Sequence, residues 1–518
     1  MPIPVIDIFA GPGGLGEGFS SSRDSTGNAI FKLCLSIEKD PHAHKTLELR
    51  SFFRKFPDGE APEDYYRYVR NEGITRDELF IRHRTEADAA REEAWNFELR
   101  EEKEREIDNR ITGALRDRKI WVLLGGPPCQ AYSVIGRNRM RGQNPQKYEA
   151  DHRHHLYREY LRILVNHQPP VFVLENVRGL LSSRVNGEST FPRILHDLSL
   201  TGRVGTGYSL YPLVKRTSQT SFIAQTSFID SDYLLYSEKL GIPQNRHRII
   251  ILGIRNDLGI YPDFLKYHDS YVTMWDAISD LPQIRSGLSR TPDNYAAWSK
   301  SLESFTQIAD SQRLVPSDIL SEMQNACKRR INFTLGGEFI PASCAEERSD
   351  WLKKHAWWFE DKRLHGFCNH IAKSHMYEDL TRYLFASCYA KLRGKSPTIG
   401  DMPPQLRPAH RNVNEAVTGK MFSDRFRVQI KGSPSTTIVS HISKDGHYFI
   451  HPDPVQCRSL TVREAARLQT FPDNYFFEGN RTAQYTQVGN AVPPLLAMQI
   501  ADVVKGVLIK AGALQSNG

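Results

Sequence analysis

Cysteine is scarce in this chain, and the spacing of the cysteines suggests no disulfide pairs. Seven cysteines are spread over 518 residues; their number is odd and no two stand as Cys-x-x-Cys. Scattered cysteines argue against a disulfide-stabilised scaffold and a zinc ribbon, and they favour a reducing compartment. The first residues also lack a basic segment followed by a long apolar one, so 1–10 is expected to form a buried strand rather than a signal peptide.

Long apolar runs, internal repeats and low-complexity tracts are missing as well. Without a run long enough to cross a bilayer, we expect no membrane partner and a cytoplasmic protein. The composition, with 40% hydrophobic and 25% charged residues, is that of a soluble protein, and 518 residues suffice for two domains. The net charge of +8 favours a polyanionic partner such as nucleic acid without deciding for one.

Short β-rich apolar runs alternate with helix-like stretches in the first half of the chain. The runs cover 3–9, 30–37, 120–124, 171–174 and 249–254. Near-continuous apolar strands separated by helices predict an α/β fold with a mostly parallel sheet covered on both faces. Polar clusters directly follow the first four runs, and open α/β sheets bind ligands at that edge. The cluster at 244–248 precedes its run, so we expect the strand from Ile249 to be antiparallel.

A glycine-rich turn lies between the first run and a helix-like stretch. Residues 11–16, Gly-Pro-Gly-Gly-Leu-Gly, match G-x-G-x-x-G, and Glu38 ends the next apolar run. Such glycines let the backbone approach a nucleotide-like cofactor, and an acidic residue at the second strand end accepts hydrogen bonds from ribose hydroxyls. This pair alone does not separate a nicotinamide enzyme from an S-adenosylmethionine enzyme.

Three further clusters carry reactive side chains. Cys129 stands in Gly-Gly-Pro-Pro-Cys-Gln, Glu175 in Leu-Glu-Asn-Val, and two arginines, Arg246 and Arg248, in Gln-Asn-Arg-His-Arg. A lone cysteine is usually a buried structural residue, but two preceding prolines at a strand end favour a fixed nucleophile. A free thiol is only a few per cent ionised at neutral pH, so nearby arginines or amides must favour the thiolate. The arginines, two apart in a strand, share a face.

The order and spacing of these motifs resemble the cytosine-C5 DNA methyltransferase family of the bacterial restriction-modification type. Members have a Rossmann-like S-adenosylmethionine-dependent methyltransferase fold, a mostly parallel sheet with an antiparallel strand, and a smaller target-recognition domain. The resemblance implies a catalytic domain over 1–257, with a charged insertion at about 52–119, and a target-recognition domain over 258–458. Residues 459–518, with Gln487-Val488-Gly489-Asn490 near their middle, would complete the catalytic domain.

The resemblance also assigns roles to individual residues. Cys129 would add to C6 of a flipped cytosine, Glu175 would contact N3, and Arg248 would bind O2 and hold Glu175, while Arg246 would sit near the thiol and the target phosphate. Contacts with S-adenosylmethionine would come from Phe9, Gly11, Gly13, Gly14, Glu38, Pro128, Asn490 and Val492. DNA would be contacted from a loop carrying Ser133, Arg137 and Arg139. No metal is expected, because the histidines at 152–155 lack further ligands.

Several points stay open from the sequence. The third strand shows no clear aspartate for the cofactor adenine, and Asp77 is the one candidate. The insertion is dense in charge, with Ile107, Ile111 and Ala114 at helical spacing, and it is expected to be a solvated helix without chemistry. The expected partners are double-stranded DNA and a separately acting restriction endonuclease, and the protein is expected to be a monomer.

The alternatives come from different classes. A tRNA cytosine-5 methyltransferase would use the same chemistry, although the large region after residue 257 favours duplex DNA. A dinucleotide-dependent oxidoreductase would leave Cys129, Glu175 and the arginines unused. A catalytically silent DNA-binding regulator is disfavoured because the expected catalytic residues are present.

Overall fold

The structure is a computed structural model that describes residues 1–127, 153–185, 188–201, 207–215, 228–329, 333–409, 413, 417 and 423–514. Its strands are β1 Ile3–Ile8, β2 Phe31–Glu38, β3 Ala94–Asn96, β4 Val122–Gly125, β5 Val171–Val177, β6 Arg184–Val185, β7 Glu188–Ser189, β8 Tyr208–Tyr211, β9 Leu234–Tyr236, β10 Gln244–Asn245, β11 His247–Arg255, β12 Gly287–Leu288, β13 Gly336–Pro341, β14 Gly366–Ile371, β15 Ser374–His375 and β16 Ser435–Thr436.

The helices of the described chain are α1 Gly14–Ser20, α2 Pro41–Phe53, α3 Glu63–Val69, α4 Arg76–Arg82, α5 Arg84–Glu93, α6 Glu104–Leu115, α7 Arg153–His167, α8 Thr190–Leu200, α9 Met274–Ile278, α10 Tyr295–Ser311, α11 Ser317–Lys328, α12 Asp350–Lys354, α13 Ala356–Phe359, α14 Tyr377–Arg393, α15 Val462–Leu468, α16 Arg481–Asn490 and α17 Pro494–Lys510. The chain divides into two compact units. The first comprises Met1–Lys55, His83–Ser270 and Ala491–Gly518, and the second Phe56–Arg82 and Tyr271–Asn490.

The first unit is built on an eight-stranded sheet in the order β3-β2-β1-β4-β5-β11-β8, with β9 also beside β11. The strands from β3 to β5 run parallel to their neighbours, whereas β11 is antiparallel to β5, β8 and β9. This confirms the predicted mostly parallel sheet and its antiparallel strand. Because β1, β4 and β5 are adjacent and parallel, their carboxyl ends meet at one edge.

Helix α17, near the end of the sequence, packs against α1, near its beginning. A Cβ placed at Gly18 would lie 2.5 Å from the Cβ of Ala497 and from the carbonyl oxygen of Pro494. Only a glycine allows the two helices to approach this closely. The closing segment therefore packs beside the glycine-rich turn that follows β1.

One helical stretch of the described chain, Arg481–Lys510, is long and apolar enough to cross a membrane by length and composition. The expectation that no such run exists was therefore too strict. Of its most apolar window, 67% is buried inside the protein, as in the core helix of a soluble protein. The apolar side chains of α17 are part of this buried surface, among them Leu496, Ile500 and Val504.

The charged insertion is divided between the two units. Helices α3 and α4 belong to the second unit, whereas α5, β3 and α6 belong to the first. The predicted helix is present as α6, and Ile107 and Ile111 are fully buried in the core of the first unit. The expectation of a solvated helix is thus wrong for the face of α6 that carries Ile107 and Ile111, because these side chains pack over the sheet.

The second unit has a helical core, with α10, α11 and α14 packed around Trp298, Met323 and Tyr383. Strands β13 and β14 form an antiparallel pair beside it. Arginines of the segment around α15 are fully buried: Arg458 pairs with Glu464, and Arg467 pairs with Asp280 and Asp473. The removal of one partner would leave an uncompensated buried charge, so this segment fixes the arrangement of the second unit.

Acidification is expected to destabilise the second unit. Burial lowers the pKa of His370 to about 4 and those of His375 and His451 to about 3. Unfolded histidine titrates near 6.5, so below that pH the unfolded chain binds more protons. The stability contributed by the neutral histidines is therefore full above about pH 6.5 and is lost as the pH falls, by up to about 4 kcal/mol per pH unit for the three together.

Urea unfolding followed by tryptophan fluorescence at about pH 7 and about pH 5 measures this loss. The variant His375→Gln is expected to flatten the pH dependence, whereas His196→Gln, at an exposed histidine of the first unit, is not. Equal unfolding midpoints at the two pH values would contradict the prediction.

Candidate active site

The glycine-rich turn is tied to the acidic residue at the end of β2. The Gly11 amide donates to Oε2 of Glu38 at 2.8 Å, and the Asp40 amide donates to Oε1 at 2.7 Å. Burial raises the pKa of Glu38, although these amide hydrogen bonds oppose the rise. The sequence-predicted pair of turn and acid is thus in direct contact.

The backbone of the turn adopts left-handed conformations at Phe9, Gly11 and Gly13, with φ of 59°, 58° and 99°. For Phe9 this is a strained state that costs about 1–3 kcal/mol, and such strain is concentrated at ligand-binding sites. A Cβ at Gly11 would meet no protein atom within 4 Å. Gly11 is therefore required for its backbone conformation, and its open side lets a ligand approach the main chain.

Gly14 begins α1 and touches the closing segment. A Cβ at this position would lie 2.2 Å from the carbonyl oxygen of Val492. The two residues that were predicted to contact the cofactor from opposite ends of the sequence are thus neighbours. Asn490, also predicted to contact the cofactor, is the exposed last residue of α16 and belongs to the second unit.

The substitution Gly14→Ala is expected to lower the free energy of unfolding by about 1–3 kcal/mol and to weaken cofactor binding, because a methyl group has no room against the Val492 carbonyl. Thermal unfolding and calorimetric titration measure both effects. Gly113→Ala in α6 is the matched control: its Cβ meets no atom within 4 Å, so it should stabilise the protein by about 0.5–1 kcal/mol. Unchanged stability of Gly14→Ala would contradict the close packing.

Glu175 and Arg248 form an ion pair across β5 and β11. Arg248 Nε lies 3.0 Å from Glu175 Oε1, and the two side chains are only 12% and 14% exposed. Burial lowers the pKa of Arg248, and Glu175 opposes that effect. The predicted partnership of these two residues is present in the structure.

Arg246 is fully buried, and Arg248 and Glu175 are its charged neighbours. Burial and the neighbouring positive charge of Arg248 lower the pKa of Arg246, which Glu175 partly offsets. Its backbone amide donates to Ser237 Oγ at 3.0 Å and to the Gln244 carbonyl oxygen at 2.9 Å. The guanidiniums of both predicted arginines therefore lie in the electrostatic field of one carboxylate.

Asn176 connects β5 to the loop after β4. Its Nδ2 donates to the carbonyl oxygen of Pro127 at 3.1 Å, and the asparagine is buried. A Cβ at Gly126 would lie 3.1 Å from Glu175 Oε2, so this loop passes directly beside the ion pair. The residues predicted within the rest of the loop and after it, Pro128, Cys129, Ser133, Arg137 and Arg139, lie outside the described residues.

From the sequence, Asp7 at this edge was assigned no role, and Asp77 was a candidate for a strand end where it does not lie. Asp7 on β1 is fully buried under Gly16 of α1, and burial raises its pKa to about 7. A charged residue within an apolar strand was the available signal. Asp77, the candidate for the third strand end, lies in α4 of the second unit instead, because the third strand is β3 and ends at Asn96.

Among the residues that the structure describes, metal ligands do not gather at this edge. Within the described ranges, no group of three or more His, Cys, Asp or Glu side chains could hold a metal ion. The histidines at 152–155 that suggested such a cluster have no described side chains.

The sheet, its antiparallel strand after β5 and the glycine turn define the class: the first unit has the Rossmann-like fold of the S-adenosylmethionine-dependent methyltransferases. A solved E. coli structure, described as a prophage-encoded DNA modification methyltransferase, matches with a TM-score of 0.50 at 18% identity and covers 98% of this chain and 99% of its own. At that identity the likeness shows the fold alone.

The family is shown by sequence. The model of the C-5 cytosine-specific DNA methylase family matches residues 81–506, and the chain belongs to this family. The Type II methyltransferase M.Bpa9945I of Bacillus paralicheniformis is 32% identical over 535 residues, which cover 97% of this chain and 99% of the relative. The Type II methyltransferase M.AgeI of Thalassovita gelatinovora is 25% identical, with 97% and 99% covered. The chain is thus an enzyme of the DNA (cytosine-5-)-methyltransferase class.

Proposed function

We propose that the protein transfers a methyl group from S-adenosylmethionine to C5 of a cytosine that is flipped out of a specific duplex DNA sequence. The observation that carries this proposal is the Glu175–Arg248 pair, which lies beside the loop that leads to Cys129. The glycine turn and Glu38 occupy the same edge of the sheet. A base held by the pair would therefore lie between a thiol and a cofactor.

The residues of the turn fit S-adenosylmethionine. Its sulfonium supplies an activated methyl group when it is bound. Gly11, with its left-handed backbone and open side, lets the ligand approach the main chain, and Phe9 offers an aromatic face. Glu38 would accept hydrogen bonds from ribose hydroxyls. Gly13, Gly14, Pro128, Asn490 and Val492 complete the predicted contacts.

The reaction requires a covalent step, because C5 of cytosine is too weak a nucleophile to attack a methyl donor. The Cys129 thiolate adds to C6 and makes C5 enamine-like. Arg246, buried and positively charged, would favour the thiolate and the target phosphate. Glu175 would share a proton with N3, and Arg248 would bind O2 while it orients Glu175. After C5 has taken the methyl group, a base removes the C5 proton, the C5–C6 double bond forms again, and Cys129 leaves as a thiolate.

Flipping the base costs a few kcal/mol, which contacts with the DNA must supply. Ser133, Arg137 and Arg139 would close over the duplex after Cys129. We assign target recognition to 258–458, and catalysis to 1–257 together with 459–518. We further propose that the protein is a monomer of the bacterial cytoplasm, and the names of the Type II relatives support a separately acting restriction endonuclease as its partner.

A labelled-methyl transfer assay with duplex DNA and with tRNA tests the substrate. Incorporation into duplex DNA at one sequence is expected, and bisulfite sequencing of DNA from an expressing host identifies that sequence. Incorporation into tRNA alone would overturn the assignment to DNA in favour of the RNA alternative. No incorporation into either would overturn the proposed activity.

A further inference from the structure

Two separate contacts join the charged insertion to the cofactor elements of the first unit. One runs from Glu93, at the end of α5, to the helix after the glycine turn; the other runs from Asn96, at the end of β3, to the turn after Glu38. Both residues belong to the region to which the sequence assigned no chemistry. We propose that the segment 84–96 is a brace that positions the cofactor site, and that Glu93 and Asn96 are its positioning residues.

The first contact is a buried chain of charges. Arg54 bridges two carboxylates: its Nη1 lies 3.1 Å from Glu17 Oε2 and its Nη2 lies 2.8 Å from Glu93 Oε1. Arg50 also binds Glu17, and Lys55 binds Glu93, each at 2.5 Å. Burial alone would raise the pKa of Glu17 and of Glu93, but the cations outweigh it and hold both below the ordinary value. Both carboxylates therefore stay charged and remain paired with these cations.

Glu17 transmits this contact to the glycine turn. It lies in the first turn of α1, and its amide donates to the Gly13 carbonyl oxygen at 2.8 Å. Helix α1 also packs against Val492 through Gly14 and against α17 through Gly18. Helix α1 is thus held by two sets of contacts, and the insertion supplies one of these sets.

The second contact fixes the acidic residue. Asn96 Nδ2 donates to the carbonyl oxygens of Glu38 at 2.9 Å and Lys39 at 3.2 Å, and β3 pairs with β2 so that Asn96 lies opposite Glu38. The Glu38 carboxylate in turn accepts from the Gly11 amide. The two contacts from the insertion thus reach the glycine turn at Gly13 and its acidic partner at Glu38.

The test rests on the proposed use of S-adenosylmethionine and measures calorimetric affinity for S-adenosylhomocysteine. Asn96→Asp keeps the shape of the side chain but turns its donor into an acceptor that faces two carbonyl oxygens. We expect about tenfold weaker binding and a raised KM for S-adenosylmethionine with kcat nearly unchanged. Glu93→Gln should act in the same direction. Glu92→Gln, whose side chain is 76% exposed, is the matched control and should bind like the wild type.

Affinity for duplex DNA without cofactor and the melting temperature are measured in parallel. A general structural defect would lower both and would not separate KM from kcat. If the wild type binds S-adenosylhomocysteine and both Asn96→Asp and Glu93→Gln bind it with the same affinity, the inference of a brace is overturned. The proposed function is then unaffected. A wild-type protein that binds neither S-adenosylmethionine nor its product would overturn the proposed function, and the brace with it.

Discussion

Cys129→Ser is expected to lose methyl transfer by at least about 10³-fold while it still binds duplex DNA. A serine hydroxyl is a far weaker nucleophile than a thiolate at neutral pH, so the addition at C6 that activates C5 does not occur. Labelled-methyl transfer and a DNA-binding titration on the same preparation measure the two effects. Near-normal transfer by this variant would exclude the covalent mechanism.

The covalent step has its own readout. A duplex with fluorine at C5 of the target cytosine has no proton to lose after methyl transfer, so the adduct should accumulate. Wild-type protein is expected to form a denaturation-resistant complex with this duplex, and Cys129→Ser is not. Cys368→Ser, at a buried cysteine of the second unit, should retain the adduct and thereby controls for loss of a thiol in general.

Glu175→Gln is expected to lower kcat/KM by about 10²–10⁴-fold, because the amide keeps the shape of the carboxyl but cannot give a proton to N3. Arg248→Ala should also lower the stability by about 3–5 kcal/mol, since it leaves the Glu175 carboxylate buried without its partner. Steady-state kinetics and denaturant unfolding of both single variants and of the double variant measure the coupling between the two residues.

The control lies at the other end of the same strand. Arg255 pairs with Asp257 at 2.7 Å, away from the active edge, so Asp257→Asn removes an ion pair from the far end of β11 without touching the site; this pair is more exposed, at 19% and 44%. Its activity should equal that of the wild type. If Asp257→Asn were impaired as strongly as Glu175→Gln, the effect of Glu175 would reflect the strand rather than the chemistry.

The central sheet was predictable because its strands depend on local sequence patterns. Near-continuous apolar runs predict buried parallel strands, and the polar cluster before Ile249 sufficed to predict the antiparallel direction of β11. The ion pair of Glu175 with Arg248 was expected from the resemblance of their motifs to those of the family. Cys129, by contrast, lies outside the described residues, so its role stays a prediction.

The third strand was not predictable in the same way. β3 is only three residues long and follows a charged helix, so it has neither the length nor the apolar continuity of the other strands. Its partner strand, not its own sequence, identifies it, since Asn96 lies opposite Glu38. The sequence alone did not show that Asp77 lies in α4 rather than at the end of the third strand. The division of the insertion between two units likewise depends on long-range contacts, such as that of Tyr65 with the Asn474 carbonyl.

The contact between α1 and α17 bears on the order in which the molecule can assemble during translation. The ribosome delivers α1 early, but its partner emerges only after the whole second unit has been made. Domains generally fold as units while the amino-terminal part is synthesised first. The packing around Gly18 can therefore form only after α17 has been synthesised, and a chain truncated before Pro494 is expected to leave this face of α1 uncovered.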